Sequence, residues 1–198
     1  MSIVCAAIKN DEIAIAADTQ MSMGSLVTTA EDLKNCDKLL RVNDNVIGIV
    51  GWTAMSTMLE TIVSEKARLF VMDDRKKIYK SLMKLHEEMK ENCYLETDEH
   101  KSQPVESLQL DALIINRNGI FEFGSYREVN QYLRFWAIGS GSRYSLGAME
   151  ALYDKAIDAK ELVETGVHAA AKFDGHCSLP ATSEVMKLSV EQRVAIVS

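Results

Sequence analysis

Met1-Ser-Ile-Val-Cys-Ala-Ala-Ile-Lys-Asn10-Asp-Glu-Ile-Ala-Ile-Ala-Ala-Asp18-Thr-Gln20 decides how this chain folds. Two apolar runs, Ile3 to Ile8 and Ile13 to Ala17, flank the polar tetrapeptide Lys9-Asn10-Asp11-Glu12. Runs of that length around an Asn-Asp pair predict a hairpin of two buried strands. Strands apolar on both faces belong in the middle of a sheet, with layers above and below. The ends of the hairpin are polar: Ser2 opens the first strand and Asp18 closes the second. With the turn near Asn10, Ser2 and Asp18 are equally far from it and come out side by side. Removal of Met1, which a small second residue favours, makes Ser2 the N-terminal residue. A serine with a free α-amine holds nucleophile and base in one residue, because an amine of pKa about 7.7–8.0 accepts the hydroxyl proton near neutrality.

Composition narrows the remaining choices. The 198 residues suffice for one domain of ordinary size, spanning 1–198, with a core of two or three layers. A hydrophobic share of 47% and only 2 prolines exclude a disordered chain. A net charge of -7 argues against nucleic acid or an anionic membrane as the main partner. Cys5, Cys36, Cys93 and Cys177 show no CxxC spacing, and no signal-peptide pattern precedes them, so free thiols in a reducing, cytoplasmic setting are expected. No apolar run approaches the length of a membrane span. His86, His100, His168 and His176 are scattered, and His86-Glu-Glu-Met-Lys90 lacks the second histidine of a zinc helix, so surface or capping roles are expected and no metal site.

Further along, Thr19 to Gly24 looks like a small polar loop, and Leu26 to Thr29 like a short strand. Ala30 to Asp37 has mixed charge and no period. Lys38 to Val42 and Val46 to Val50 form strands around Asn43-Asp44-Asn45, a strong hairpin signal. Helical spacing follows in Met55, Met58, Leu59, Ile62 and Val63, and again in Ile78, Leu82, Leu85 and Met89, with a break at Asp73-Asp74. Residues 93–106 are polar and loop-like. Strands resume at Leu110 to Ile115, Ile120 to Phe123 and Arg134 to Ile138. Gly139-Ser-Gly-Ser142 leads into a helix through Leu152, and a second helix runs from about Ala159 to Phe173. Glu184 to Leu188 and Arg193 to Val197 are expected as closing strands. Strands, two helices, strands, two helices, strands is the order of an α+β fold in which two hairpin-built sheets pack face to face, each covered by a helix pair: a four-layer αββα sandwich.

The N-terminal hairpin, the later glycine motifs and this element order together resemble the proteasome β-subunit family, N-terminal nucleophile hydrolases that include HslV-like ring proteases. In that family the mature N-terminal residue, usually Thr, is the nucleophile, and Ser2 stands in its place. The resemblance carries over to Asp18 at the end of the second strand and to Ser22 four positions later. Gly48, in Ile47-Gly-Ile-Val-Gly51, matches the glycine whose N–H forms the oxyanion hole. Ile138-Gly-Ser-Gly-Ser142, with Tyr144 and Gly147, is similar to the family's Gly-Ser-Gly turn, whose first serine, Ser140, supports the N-terminal amine. Asp174-Gly-His-Cys177 resembles the Asp-x-x-Ser that completes this support, with Cys177 replacing serine. Ser for Thr at the nucleophile keeps the hydroxyl and loses the methyl that fixes its rotamer.

An enlarged segment after Ser22 leaves the family's active-site lysine between Lys34 and Lys38. The lysine and the oxyanion glycine must flank one nucleophile, so they belong nearly opposite each other on adjacent strands. Around Asp44, Lys38 fits that register, whereas Lys34 overshoots by roughly 13–20 Å at ~3.3 Å per residue. Lys38 is therefore the expected residue. The resemblance implies a peptidase acting through an acyl-enzyme with no cofactor and no metal, assembled as a homo-oligomeric double ring. Its substrates would be unfolded polypeptides, with an ATP-dependent unfoldase as an optional partner. The rival readings are a small-amide hydrolase on the same fold and a catalytically silent ring scaffold.

Overall fold

Alternation along the first hairpin sets the layering of the computed structural model, which describes residues 2–98, 100–189 and 192. The turn at Asn10-Asp11, both with positive φ, joins β1 (Val4–Lys9) to β2 (Glu12–Asp18). In β1, Val4, Ala6 and Ile8 point one way, while Cys5 and Ala7, with Ile3 before them, point the other. Neither face meets water, as the two apolar runs require.

Both strands are central in a four-stranded sheet of order β10-β1-β2-β11, with β10 at Phe135–Ile138 and β11 at Ala181–Lys187. A second, five-stranded sheet has the order β5-β6-β7-β8-β9. Its strands are β5 (Leu39–Val42), β6 (Asn45–Gly51), β7 (Leu110–Asn116), β8 (Gly119–Phe123) and β9 (Val129–Tyr132). Val4, Ile13 and Ile15 from the first sheet meet Val46, Leu113 and Ile115 from the second in the middle core. The outer face of the first sheet packs on α3 (Ser142–Leu152) and α4 (Ala159–Phe173) through Leu162, Val163 and Val167. The outer face of the second packs on α1 (Thr53–Lys66) and α2 (Arg75–Asn92) through Leu59, Ile78 and Leu82. Three stacked cores make the four-layer αββα sandwich.

Local chemistry explains the helix starts. Asp74 caps α2 by accepting from the N–H groups of Lys76 and Lys77, and Asp158 caps α4 by accepting from that of Glu161.

Several expectations need correction. Met21–Met23 is a strand (β3) paired with β4 (Leu26–Thr28), not a loop, because Gly24 turns the chain tightly enough to pair Met21 with Thr28. β9 carries no clear apolar period, since Asn130 and Gln131 face solvent on this edge strand. Closing strand β11 begins at Ala181, ahead of the expected Glu184, and Arg193 to Val197 lie outside the described residues. His86 is 7% exposed rather than at the surface. Its Nδ1 lies 2.9 Å from an Arg127 guanidinium nitrogen, which can only donate, so Nε2 carries the proton and donates to Glu106 at 3.0 Å. Among the described residues no helix is long and apolar enough to cross a membrane.

Candidate active site

Antiparallel pairing brings most of the sequence-predicted residues to one end of the sandwich. β1 begins where β2 and β10 end, and there too β11 begins. Ser2 precedes β1, Asp18 ends β2, Lys38 precedes β5 and Gly51 ends β6. Ser140 sits between β10 and α3, and Asp174 and Cys177 follow α4.

The hairpin register is one residue off the symmetric expectation: Val4 pairs with Ala17, so Asp18 stands opposite Ile3 rather than Ser2. That offset has a chemical consequence. Asp18 Oδ1 accepts the Ile3 N–H at 2.9 Å and the Lys38 ammonium at 2.6 Å. Its Oδ2 accepts the N–H groups of Gln20 at 3.0 Å and Ser178 at 3.4 Å. The carboxylate is fully buried, and every contact is a charge-assisted hydrogen bond. Lys38 is 8% exposed, whereas Lys34 lies on the surface. The structure thus sets Lys38, not Lys34, against the aspartate behind the first strand.

Ser2 is held through its backbone. Its carbonyl accepts the Gly141 N–H at 3.3 Å and lies 3.4 Å from the Ser140 hydroxyl. Gly139, at φ 94, lets the turn pass so close that a Cβ there would strike the Ser2 carbonyl. The Ser140 hydroxyl also bonds the Asp174 carboxylate, and its single proton serves one acceptor at a time. Cys177 Sγ reaches Asp174 Oδ2 at 3.5 Å. Burial, with the charges of Asp18 and Asp174, pushes the Cys177 thiol up to about 12, so it stays a neutral donor. Burial alone would raise the Asp174 carboxyl; hydrogen bonds from Ser140, His176 N–H and Cys177 outweigh it and hold the group below its ordinary value.

A lowered carboxyl gives a signed expectation. The folded state binds fewer protons, so the stabilisation is complete above the unfolded value of about 3.9 and is lost as pH falls through the lower folded value. Thermal melts of wild type and Asp174→Asn should therefore differ most above about pH 4 and converge at lower pH.

Gly48 and Ser22 stand apart from this cluster. Gly48 lies mid-strand, opposite Leu39 on one side and Leu113 on the other, with its Cα facing Val4 and Ile15 across the middle core. The Ile49 N–H donates to the Lys38 carbonyl, so strand alternation turns the Gly48 N–H the opposite way, toward β7. By the same alternation Gly51 directs its N–H toward the β5 side, beyond the first residue of that strand. Gly51, unlike Gly48, lines a cleft of about 430 Å³ with Ser2 and Lys38. Ser22 lies on the rim of the cleft, where its hydroxyl accepts from the Gln20 amide at 3.1 Å.

Sequence reasoning missed Gly51, Gln20 and Ser178. Gln20 Nε2 also donates to the Gly175 carbonyl at 3.2 Å, and the Ser178 hydroxyl donates to Gln20 Oε1, which ties the end of β2 to the segment after α4. The signal for Gly51 was present: once Lys38 stands opposite Ile49, counting N–H directions along Ile47-Gly-Ile-Val-Gly51 points to the last residue. Among the described residues no group of three or more His, Cys, Asp or Glu is placed to hold a metal ion.

Two face-to-face sheets between helix pairs, with Ser2 lining a cleft beside Lys38, are the arrangement of the class of N-terminal nucleophile hydrolases. The family model described as Proteasome subunit matches residues 2–179. The ATP-dependent protease subunit HslV of Rickettsia bellii is 29% identical over 169 residues, covering 82% of each chain. The solved structure of Thiobacillus denitrificans BPH is 36% identical with a TM-score of 0.86, covering 95% of this chain and 99% of that one. The same protein in complex with epoxomicin gives 35% and 0.84, covering 94% and 99%. The chain belongs to the proteasome family of N-terminal nucleophile peptidases.

Proposed function

We propose that this chain cleaves peptide bonds with Ser2 as its N-terminal nucleophile, through an acyl-enzyme. The observation that carries the reading is the Asp18 carboxylate, which joins the Lys38 ammonium to the N–H of Ile3, the residue directly after Ser2. A buried cation at the side of a nucleophilic hydroxyl favours its deprotonated form and stabilises developing negative charge. On attack, the Ser2 oxygen bonds to the substrate carbonyl carbon and its proton passes to the Ser2 α-amine, directly or through water. The oxyanion forms against the Gly51 N–H, a donor of the kind whose loss costs about 3–4 kcal/mol. Collapse breaks the C–N bond, the amine leaving group takes the proton back from the α-ammonium, and water then hydrolyses the ester. Ser140 and Asp174 orient the N-terminal residue.

The same reading includes a ring of about twelve to fourteen chains, because a heterologous interface closes on itself without free ends. Tyr79 and Met83, one turn apart on α2, are exposed and supply an apolar contact stripe. Phe70 and Met72, each 2% exposed, do not extend this stripe, because they belong to the chain's own core. The proposal extends to unfolded polypeptides as substrate and an ATP-driven unfoldase as feeder, which the similarity to an ATP-dependent protease subunit supports. Four free thiols suit work in a reducing cytoplasm.

Native and intact mass spectrometry, with and without epoxomicin, test the proposal together. The expected result is an assembly of that size, loss of one methionine per chain and one inhibitor adduct per chain on Ser2. Retained Met1 with no adduct would overturn the nucleophile and favour a silent ring scaffold; a monomer would overturn the ring.

A further inference from the structure

The lining of the cleft beyond Ser2 is uneven in charge. Its acidic and basic side chains are Asp37, Lys38 and Glu60. Lys38 is neutralised by Asp18 at 2.6 Å, which leaves two carboxylates facing the space. Asp37 is tied down: its Oδ1 accepts from the Leu39 N–H and the Thr182 hydroxyl, each at 2.9 Å. The Glu60 carboxylate makes no hydrogen bond or ion pair with any described residue. Its neighbours three and four positions away on α1, namely Ser56, Thr57, Val63 and Ser64, carry no charge, so nothing on the helix compensates it.

Position matters as much as charge. Thr53, Ser56, Thr57 and Glu60 follow one another at helical spacing and form one wall of the cleft. At 1.5 Å per residue, Glu60 lies about 10 Å along the axis from Thr53, the first residue of α1, which follows Gly51-Trp52. A substrate residue whose carbonyl is held at the Gly51 N–H has this wall within the same cleft for its own side chain. Met21, Cys36 and Ile49 offer apolar surface to a stem on the way. Trp52, 72% exposed at the mouth, adds an aromatic face that attracts cations. A long apolar stem ending in a cation is the shape and charge that these groups complement, since such side chains bury their methylenes and place the head at a counter-charge.

We infer that the cleft selects a lysine or arginine side chain on the residue whose carbonyl is attacked, and that Glu60 is the specificity-determining group that reads its charge. This rests on the peptidase reading of the same cleft. It differs from a general attraction by the -7 of each chain, which acts over the whole assembly and is screened by salt.

The test compares fluorogenic peptides that differ only in that residue (Arg, Leu or Glu) on wild type, Glu60→Gln and Glu60→Lys. The quantity read is the ratio of kcat/KM between peptides within each protein, which does not depend on how much of it is folded. Wild type should prefer Arg over Leu and disfavour Glu. Glu60→Gln should lower the Arg-to-Glu ratio about tenfold, and Glu60→Lys should invert it. Ratios unchanged in both variants would overturn the role of Glu60 while leaving the peptidase intact. A wild-type preference for Glu would overturn the selection itself. If wild type cleaves none of the peptides and takes up no epoxomicin, the peptidase reading and this inference fall together.

Discussion

Replacing Ser2 with alanine is expected to abolish turnover of fluorogenic peptides, by roughly 10⁴-fold or more, and to abolish labelling by epoxomicin. Deleting the nucleophile from a site whose groups act as a unit costs about as much as removing the whole unit, because the remaining groups have nothing to activate. Assembly and melting temperature should stay near wild type. Ser2 is small, and the contacts that hold it in the turn, from Gly141 N–H and the Ser140 hydroxyl, go to its carbonyl, which alanine keeps. Ser2→Thr supplies the complementary arm. It retains the hydroxyl and adds the methyl that restricts χ1, so turnover should be kept or improved. Wild-type turnover in Ser2→Ala would show that the nucleophile is another group.

The two lysines should separate by orders of magnitude. Lys38→Ala removes the cation from a site where Asp18 is fully buried and Lys38 is 8% exposed, and turnover should fall roughly 10³-fold. Breaking a buried pair usually costs about 3–5 kcal/mol, because one charge stays behind without its partner. Here the loss should lie near the low end, about 3 kcal/mol, since Asp18 keeps the N–H groups of Ile3, Gln20 and Ser178. Lys34→Ala, on an exposed segment without secondary structure, should match wild type in rate and stability. The measurements are steady-state kinetics beside urea melts. The reverse pattern, with Lys34→Ala inactive, would show that the buried pair serves the fold alone.

Neighbours in sequence explain which parts of the site were legible. Choosing Lys38 over Lys34 needed only the Asn43-Asp44-Asn45 turn and the count of residues on either side, because a hairpin converts sequence distance into spatial distance. The proposed oxyanion donor depends on something finer than register. Gly48 and Gly51 lie on one strand, and which N–H is spent in the ladder is decided by alternation relative to two flanking strands. One of those flanks, β7, enters from far along the chain, at Leu110. The same limit applies to Phe70 and Met72, which look surplus on a helical wheel. The chain leaves helical geometry after Lys66, passes through the short 3₁₀ turn Ala67–Leu69 and folds both side chains back into the core beneath α1 and α2.

By itself the sequence determined the layers. Runs apolar at every position between turn signals had to be strands covered on both sides, and helical periods in pairs had to be the covers, because burying those surfaces admits few other arrangements. It also brought Ser2, Asp18 and Lys38 to one end of the sandwich, since antiparallel neighbours share their ends. Only the tertiary structure decided what those groups face. The one-residue shift that sets Asp18 against Ile3, the turning of Gly48 into the ladder, the burial of His86 beside Arg127 and Glu106, and the uncompensated Glu60 at the far end of the cleft all depend on contacts between segments distant in sequence. Hydrogen-bond direction and charge compensation are properties of such contacts, and no local pattern of residues encodes them.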